Sequence, residues 1–158
     1  MVDKVGGMSA VKSKILTLIS TADATLTPEA SHVFPNWRTD VNYLETNYPV
    51  VTVRLGNVIV SDKNYGRQIG NNTRGQFVTY IFTAHVWDEN NTSGPKSKDT
   101  CDLADKIIDV LENYTGDNVS GIKYFENVTA RESEPERGPQ RLSRVIIEGF
   151  VVAKRPLA

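Results

Sequence analysis

The stretch Gln76-Phe77-Val78-Thr79-Tyr80-Ile81-Phe82-Thr83-Ala84-His85-Val86-Trp87-Asp88 decides how the rest of the chain is read. Successive side chains of a strand point to opposite faces of a sheet. Val78, Tyr80, Phe82, Ala84 and Val86 therefore share one face, and Phe77, Thr79, Ile81, Thr83, His85 and Trp87 share the other. A strand with one wet face alternates apolar and polar residues; this one is largely apolar on both. It is central to its sheet, or its second face meets another chain.

Upstream of it, Pro49 opens a second strand, in which Val51, Val53 and Leu55 alternate against Thr52 and Arg54. Val58-Ile59-Val60 extends that strand past Gly56, where a bulge is expected. Residues 61–75 between the two strands hold glycines, asparagines and the cations Lys63, Arg67 and Arg74, the composition of a flexible basic loop.

Downstream, a turn-rich linker leads to a helix capped by Ser97 or Asp99. It carries Cys101, Ala104, Ile107, Ile108, Leu111 and Tyr114 on one stripe. Asp99, Asp102 and Asp105 lie near its N-terminus, where the helix dipole favours negative charge, and Gly116 is placed to end it. Residues 122–129 read as a third strand and 131–141 as a charged, proline-bearing loop. Residues 142–152 form a fourth strand, with Ile146, Phe150 and Val152 on one face and Val145, Ile147 and Val151 on the other.

At the other end, residues 9–22 place Val11, Ile15, Leu16, Leu18, Ile19 and Ala22 three and four apart, the stripe of an amphipathic helix with Ser9 as its cap. Residues 25–48 show no period; they read as irregular but packed, with a short helical turn over 38–45. The expectation is one α+β domain over residues 1–158 with a flexible stretch at 1–7. Its four-stranded, mainly antiparallel sheet is covered on one face by two helices, in the order α-β-β-α-β-β.

Bulk properties fit that size. The chain has 158 residues, 39% of them hydrophobic and 23% charged, near the globular average. Eighteen basic and nineteen acidic residues give a net charge of -1, without the basic surplus of a protein built to coat phosphate. Apolar runs are far shorter than the ~20 residues that span a bilayer, and residues 1–7 lack the apolar core of a signal peptide. Neither membrane association nor specific nucleic-acid binding is expected.

Chemistry is sparse. Cys101 is the single cysteine and sits on an apolar helix face, where a thiolate is penalised. The two histidines, His32 and His85, show no metal-ligand spacing. Gly66, Gly70 and Gly75 lack the lysine and following helix of a phosphate loop. The carboxylates Asp88 and Glu89 close a strand, and Glu132, Glu134 and Glu136 alternate with Arg131, Arg137 and Arg141. Both sets have the character of solvated ends. No catalytic residue, metal or cofactor is expected, and a binding or assembly role follows. The candidate interface comprises Lys63, Arg67 and Arg74 in the basic loop and Phe77, Ile81 and Trp87 on the second face. It also includes Arg131, Glu134, Arg137 and Arg141 in the charged loop, where mixed charges can set register with a neighbour.

Taken together, the N-terminal helix, the strand from Pro49 to Arg54, the long strand from Phe77 to Trp87, the acidic-capped helix and the closing Arg144-Val145-Ile146-Ile147-Glu148-Gly149-Phe150 strand are similar to those of one viral family. The pattern resembles the tail-terminator and tail-completion (head–tail joining) proteins of long-tailed bacteriophages and related viruses. The resemblance implies a homohexameric ring in the virion neck, assembled in the host cytoplasm. Such a ring caps the tail tube, ends its polymerisation and meets the tail-tube protein and the head-connector protein, with DNA passing through its lumen. Segment 25–48 departs from the family by its length and aromatic content. The alternatives are another head–tail connector or tail-tube component, or a cellular small-ligand or enzyme domain, which would need a pocket gathering His32 or His85 with carboxylates.

Overall fold

In the computed structural model, which describes residues 4–35, 49–60, 67–70, 73–89, 97–133 and 142–156, the segment apolar on both faces lies at the middle of a sheet. The elements are α1 (Met8–Ser20), a 3-10 turn (Ala24–Leu26), α2 (Glu29–His32), β1 (Val33–Phe34), β2 (Val50–Val60), β3 (Arg67–Gly70), β4 (Thr73–Glu89), α3 (Ser97–Glu112), β5 (Ile122–Ser133) and β6 (Leu142–Pro156). Strand order is β1-β2-β4-β6-β5, with β3 paired to β4. Among the described strands only β1 runs parallel to its neighbour, so the sheet is mainly antiparallel.

The long elements keep the expected order, but among the described residues there are six strands and three helices rather than four and two. The additions are short. The helical turn α2 and the two-residue strand β1 fall inside the stretch read as irregular, and β3 falls inside the stretch read as a basic loop. Elements of two to four residues cannot display a period, which is why the pattern misses them. The helical turn expected over 38–45 lies outside the described residues. Strand β5 also runs on to Ser133, so Arg131 and Glu132 belong to a strand and not to the charged loop. Their pairing with Ile146 and Val145 continues the ladder at the sheet edge, where charged side chains are at home.

One face of the sheet forms the core. Val78, Tyr80, Phe82, Ala84 and Val86 are fully buried, and they pack with Val51 and Val53 of β2 and with Val145, Ile147 and Val151 of β6. Helices α1 and α3 cover this face with Val11, Ile15, Ile19, Ala104, Ile107 and Leu111. A side chain the size of Phe82 contributes roughly 1.5–3 kcal/mol by such burial. Its ring meets Phe125 of β5 edge-on, with centroids 5.6 Å apart and planes at 87°. Gly149 of β6 makes the approach possible: a Cβ there would stand 2.9 Å from the Phe82 ring.

Two bulges interrupt the outermost strand β5. Its register with β6 shifts between Ile122 and Tyr124 and again between Glu126 and Thr129, where Asn127 takes a φ of 53°. In β2 the shift falls between Leu55 and Val58, at the expected Gly56 position.

Helix α1 begins at Met8, with Gly7 rather than Ser9 at the cap position. The residues just before it are anchored rather than free. The Gly6 N–H donates to the Ser120 carbonyl at 2.8 Å, and the Lys154 N–H donates to the Gly121 carbonyl at 2.8 Å. Three backbones converge there, and both glycines have positive φ. The loop after α3 is organised by Asp117. Its carboxylate accepts from the Val119 and Ser120 N–H groups and from the hydroxyls of Ser120 and Tyr114. Burial pushes this carboxyl up, but the hydrogen bonds from Tyr114 and Ser120 outweigh it and hold Asp117 below the ordinary carboxylate range.

Candidate functional site

The other face of the sheet carries the side chains that alternate with the core. On β4 these are Phe77, Thr79, Ile81, Thr83, His85 and Trp87. Their partners on β6 are, in register, Lys154, Val152, Phe150, Glu148, Ile146 and Arg144. On β2 they are Val50, Thr52 and Arg54, opposite Trp87, His85 and Thr83. Val50, Trp87, Ile146 and Val152 are buried, yet none of them belongs to the core cluster beneath the helices. They mark a second apolar layer, on the face opposite the one that α1 and α3 cover.

The aromatic and charged groups on this layer form two groupings. At one end His85 stacks on Trp87 with centroids 6.0 Å apart and planes at 19°, and the Arg144 guanidinium lies 4.9 Å over the Trp87 ring. Nearby, Arg131 of β5 forms an ion pair of 3.5 Å with Glu148, both partners exposed. At the other end the Lys123 ammonium sits 4.6 Å over the Phe77 ring, beside Tyr124, which is 41% exposed. Ile81 and Phe150 pair across β4 and β6 between the two ends, both half-buried.

Of the candidate interface residues, Phe77, Ile81, Trp87 and Arg131 therefore come together on one surface. Arg67 and Arg74 do not join Trp87 and Arg131. They lie on the β3–β4 hairpin, where Arg67 pairs with Gly75 and Gln68 with Arg74. At ~3.3 Å per residue that is about 40 Å along β4 from Trp87. Lys63, Glu134, Arg137 and Arg141 lie outside the described residues. Sequence reasoning left out Arg54, Lys123, Tyr124, Glu148 and Phe150, although Phe150 was already placed on the right face by alternation. What it lacked was strand order, which brings β2 and β5 to opposite sides of the β4–β6 pair.

The titratable groups are dispersed. His32 Nδ1 donates to the Pro49 carbonyl at 2.9 Å, at the β1 side of the sheet. His85 is pushed below the usual imidazole range, first by burial and then by Arg144, Arg131 and Arg54, with Glu148 opposing them. The Cys101 thiol donates to a Glu132 carboxylate oxygen at 3.1 Å. That bond, burial and further carboxylates nearby push its pKa up to about 11, which keeps it a thiol and a poor nucleophile. No group of three or more His, Cys, Asp or Glu side chains among the described residues could hold a metal ion. A shallow depression of about 480 Å³ beside the Asp117 loop, lined by Val5, Asn118, Lys123 and Lys154 among others, gathers neither histidine.

No family model matches the chain, and no curated protein matches it. Among solved structures, a chain in the virion of a native gene transfer agent particle is similar to it, with a TM-score of 0.51. The match covers 96% of this chain and 96% of that one at 16% identity, and it establishes a shared fold over essentially the full length of both.

Proposed function

We propose that this chain is a phage-like virion structural protein. Within the particle it forms a ring, a homohexamer, that caps the tail tube, ends tail polymerisation and joins the tail to the head connector. Its partners are then further copies of itself, the tail-tube protein and the head-connector protein, and its place is the tail or neck of the virion. It acts through surfaces and not by catalysis.

The observation that carries this reading is the second apolar layer of the sheet. Beside its buried residues this layer leaves Ile81 and Phe150 half-buried and Arg54, Lys123, Tyr124 and Arg131 exposed, a mixed surface of the kind through which ring subunits associate. The full-length likeness of the fold to a chain from a virion supports the same assignment. The state of the titratable groups is consistent with it, since a thiol held near pKa 11 and an imidazole biased toward its neutral form are poorly prepared for nucleophilic or acid chemistry.

The test is the mass of the purified chain by light scattering over a wide concentration range, with electron microscopy of whatever forms. A closed ring, alone or on a tail tube, is the expected result. A strict monomer that ignores the tube overturns the reading. A different head–tail connector role would appear as a ring that binds the connector and not the tube.

A further inference from the structure

The two outer surfaces of the molecule carry opposite charge. On α3, Leu103, Ala104, Ile107 and Leu111 face the core, so Asp102, Asp105, Asp109 and Glu112 share the exposed stripe. The lysine among them, Lys106, is engaged by Asp23 at 2.6 Å. The stripe is therefore acidic over about 15 Å of helix.

The sheet face on the opposite side of the molecule is cationic. Arg54 on β2 and Arg131 on β5 flank it, while Lys123 and Lys154 continue the positive charge toward Phe77. Glu148 takes up part of the charge of Arg131, and Glu126 is the other exposed carboxylate on this face among the described residues. Balance still favours the cations. His85, at the middle of the face, feels three arginines against one glutamate. From β2 to β5 is three strand spacings, about 14 Å, close to the length of the acidic stripe. Between the flanking arginines lie Thr83, Glu148, His85 and Ile146, and the half-buried apolar pair Ile81 and Phe150 adjoins them in the next row.

Resting on the assembly reading above, we propose that copies of this chain associate head to tail, with the acidic outer face of α3 on one copy seated across the outer sheet face of the next. Arg54 and Arg131 then pair with the carboxylates of the neighbour's helix, and the adjoining Ile81 and Phe150 are covered by its stem atoms. Each subunit offers both surfaces once, which makes the contact heterologous and lets a rotation close it into a ring. Complementary charge sets the register and penalises sheet-to-sheet or helix-to-helix pairing.

Charge reversal tests this on the full chain. One variant carries Asp102→Lys, Asp105→Lys and Asp109→Lys; the other carries Arg54→Glu and Arg131→Glu. Each alone should weaken self-association at least tenfold, and mixing the two should restore it, because the reversed helix of one matches the reversed sheet of the other. A wild-type oligomer that neither set disturbs, or a mixture that stays dissociated, overturns the proposal and leaves the ring reading standing. Circular dichroism checks folding. If a reversed variant unfolds, the neutral sets Asp→Asn and Arg→Gln at the same positions should weaken association in the same direction. Loss of binding to a DNA duplex without loss of the oligomer would assign the sheet face to nucleic acid and likewise overturn the proposal. A wild-type chain that never associates overturns the assembly reading itself.

Discussion

The hydroxyl of Tyr80, in the central strand, donates a hydrogen bond to the carbonyl of Gly6, 2.7 Å away and 74 residues earlier in the chain. Tyr80 is fully buried, so the bond satisfies a hydroxyl that would otherwise be stranded in the core, and it fastens the approach to α1 onto the sheet. Burial pushes the phenol above its ordinary range, so it stays protonated and a donor at any ordinary pH. Tyr80→Phe should lower stability by about 1 kcal/mol in urea unfolding, because the donor is lost and the Gly6 carbonyl is left without it, with little change in volume. The acceptor at Gly6 should then exchange its neighbouring amides faster in hydrogen-exchange measurements.

Gly121 should tolerate no side chain. Its φ is 81°, and a Cβ would stand 2.5 Å from the Gly6 nitrogen and 2.7 Å from the Lys154 carbonyl oxygen, all of them backbone atoms. Gly121→Ala should cost more than about 2 kcal/mol, by strain in the left-handed region and by prising the N-terminal segment from β6. An alanine variant with unchanged urea midpoint would show that the three-backbone convergence does not form in solution.

Cys101 should be slow to react. With a pKa of about 11 only about one thiol in a thousand is ionised at pH 8, against roughly one in four for an ordinary cysteine. Glu132→Gln removes the carboxylate to which the thiol donates and should speed alkylation by about tenfold or more. Equal rates in the two proteins would remove the hydrogen bond from the account.

His85 should make stability depend on pH. Burial first, then Arg144, Arg131 and Arg54, depress its folded value below the unfolded ~6.5, so the unfolded state binds the proton more readily. Stability should therefore be flat above about pH 7 and fall as pH drops below about 6.5, levelling only below the depressed folded value. His85→Gln should flatten that window in melting curves taken from pH 8 to 5, and a wild-type slope retained by the variant would point to other groups.

How much of this could be read from the chain alone follows from length. β2, β4, α3 and β6 span eleven to seventeen residues each, enough for a period of two or 3.6 to repeat several times, and all four were legible. The two-residue β1 and the four-residue β3 had no repeat to show. Arg131 was legible as an interface candidate but not as a strand residue, because on an edge strand charge and irregular register mask alternation. Phe77, Ile81 and Trp87 were placed on one face by parity alone. That Arg54 and Arg131 border the same surface depended on strand order, which pairs residues 54 and 83, 83 and 148, and 148 and 129 across the sheet, and no local pattern encodes it.

The bulges of β5 have a consequence for solubility. A straight, unbroken border strand is a template on which a second molecule can add its own strand, and repetition of that step builds fibrils. Here the ladder is broken at Lys123 and again at Asn127, whose left-handed backbone turns amides away from a regular row. An incoming strand finds a regular row only over residues 129–133, shorter than the roughly six- or seven-residue segments that build cross-β material. Concentrated stocks should accordingly grow no cross-β material from this side, and contacts between molecules are left to side chains on the broad surfaces, where they are specific and can be finite in number.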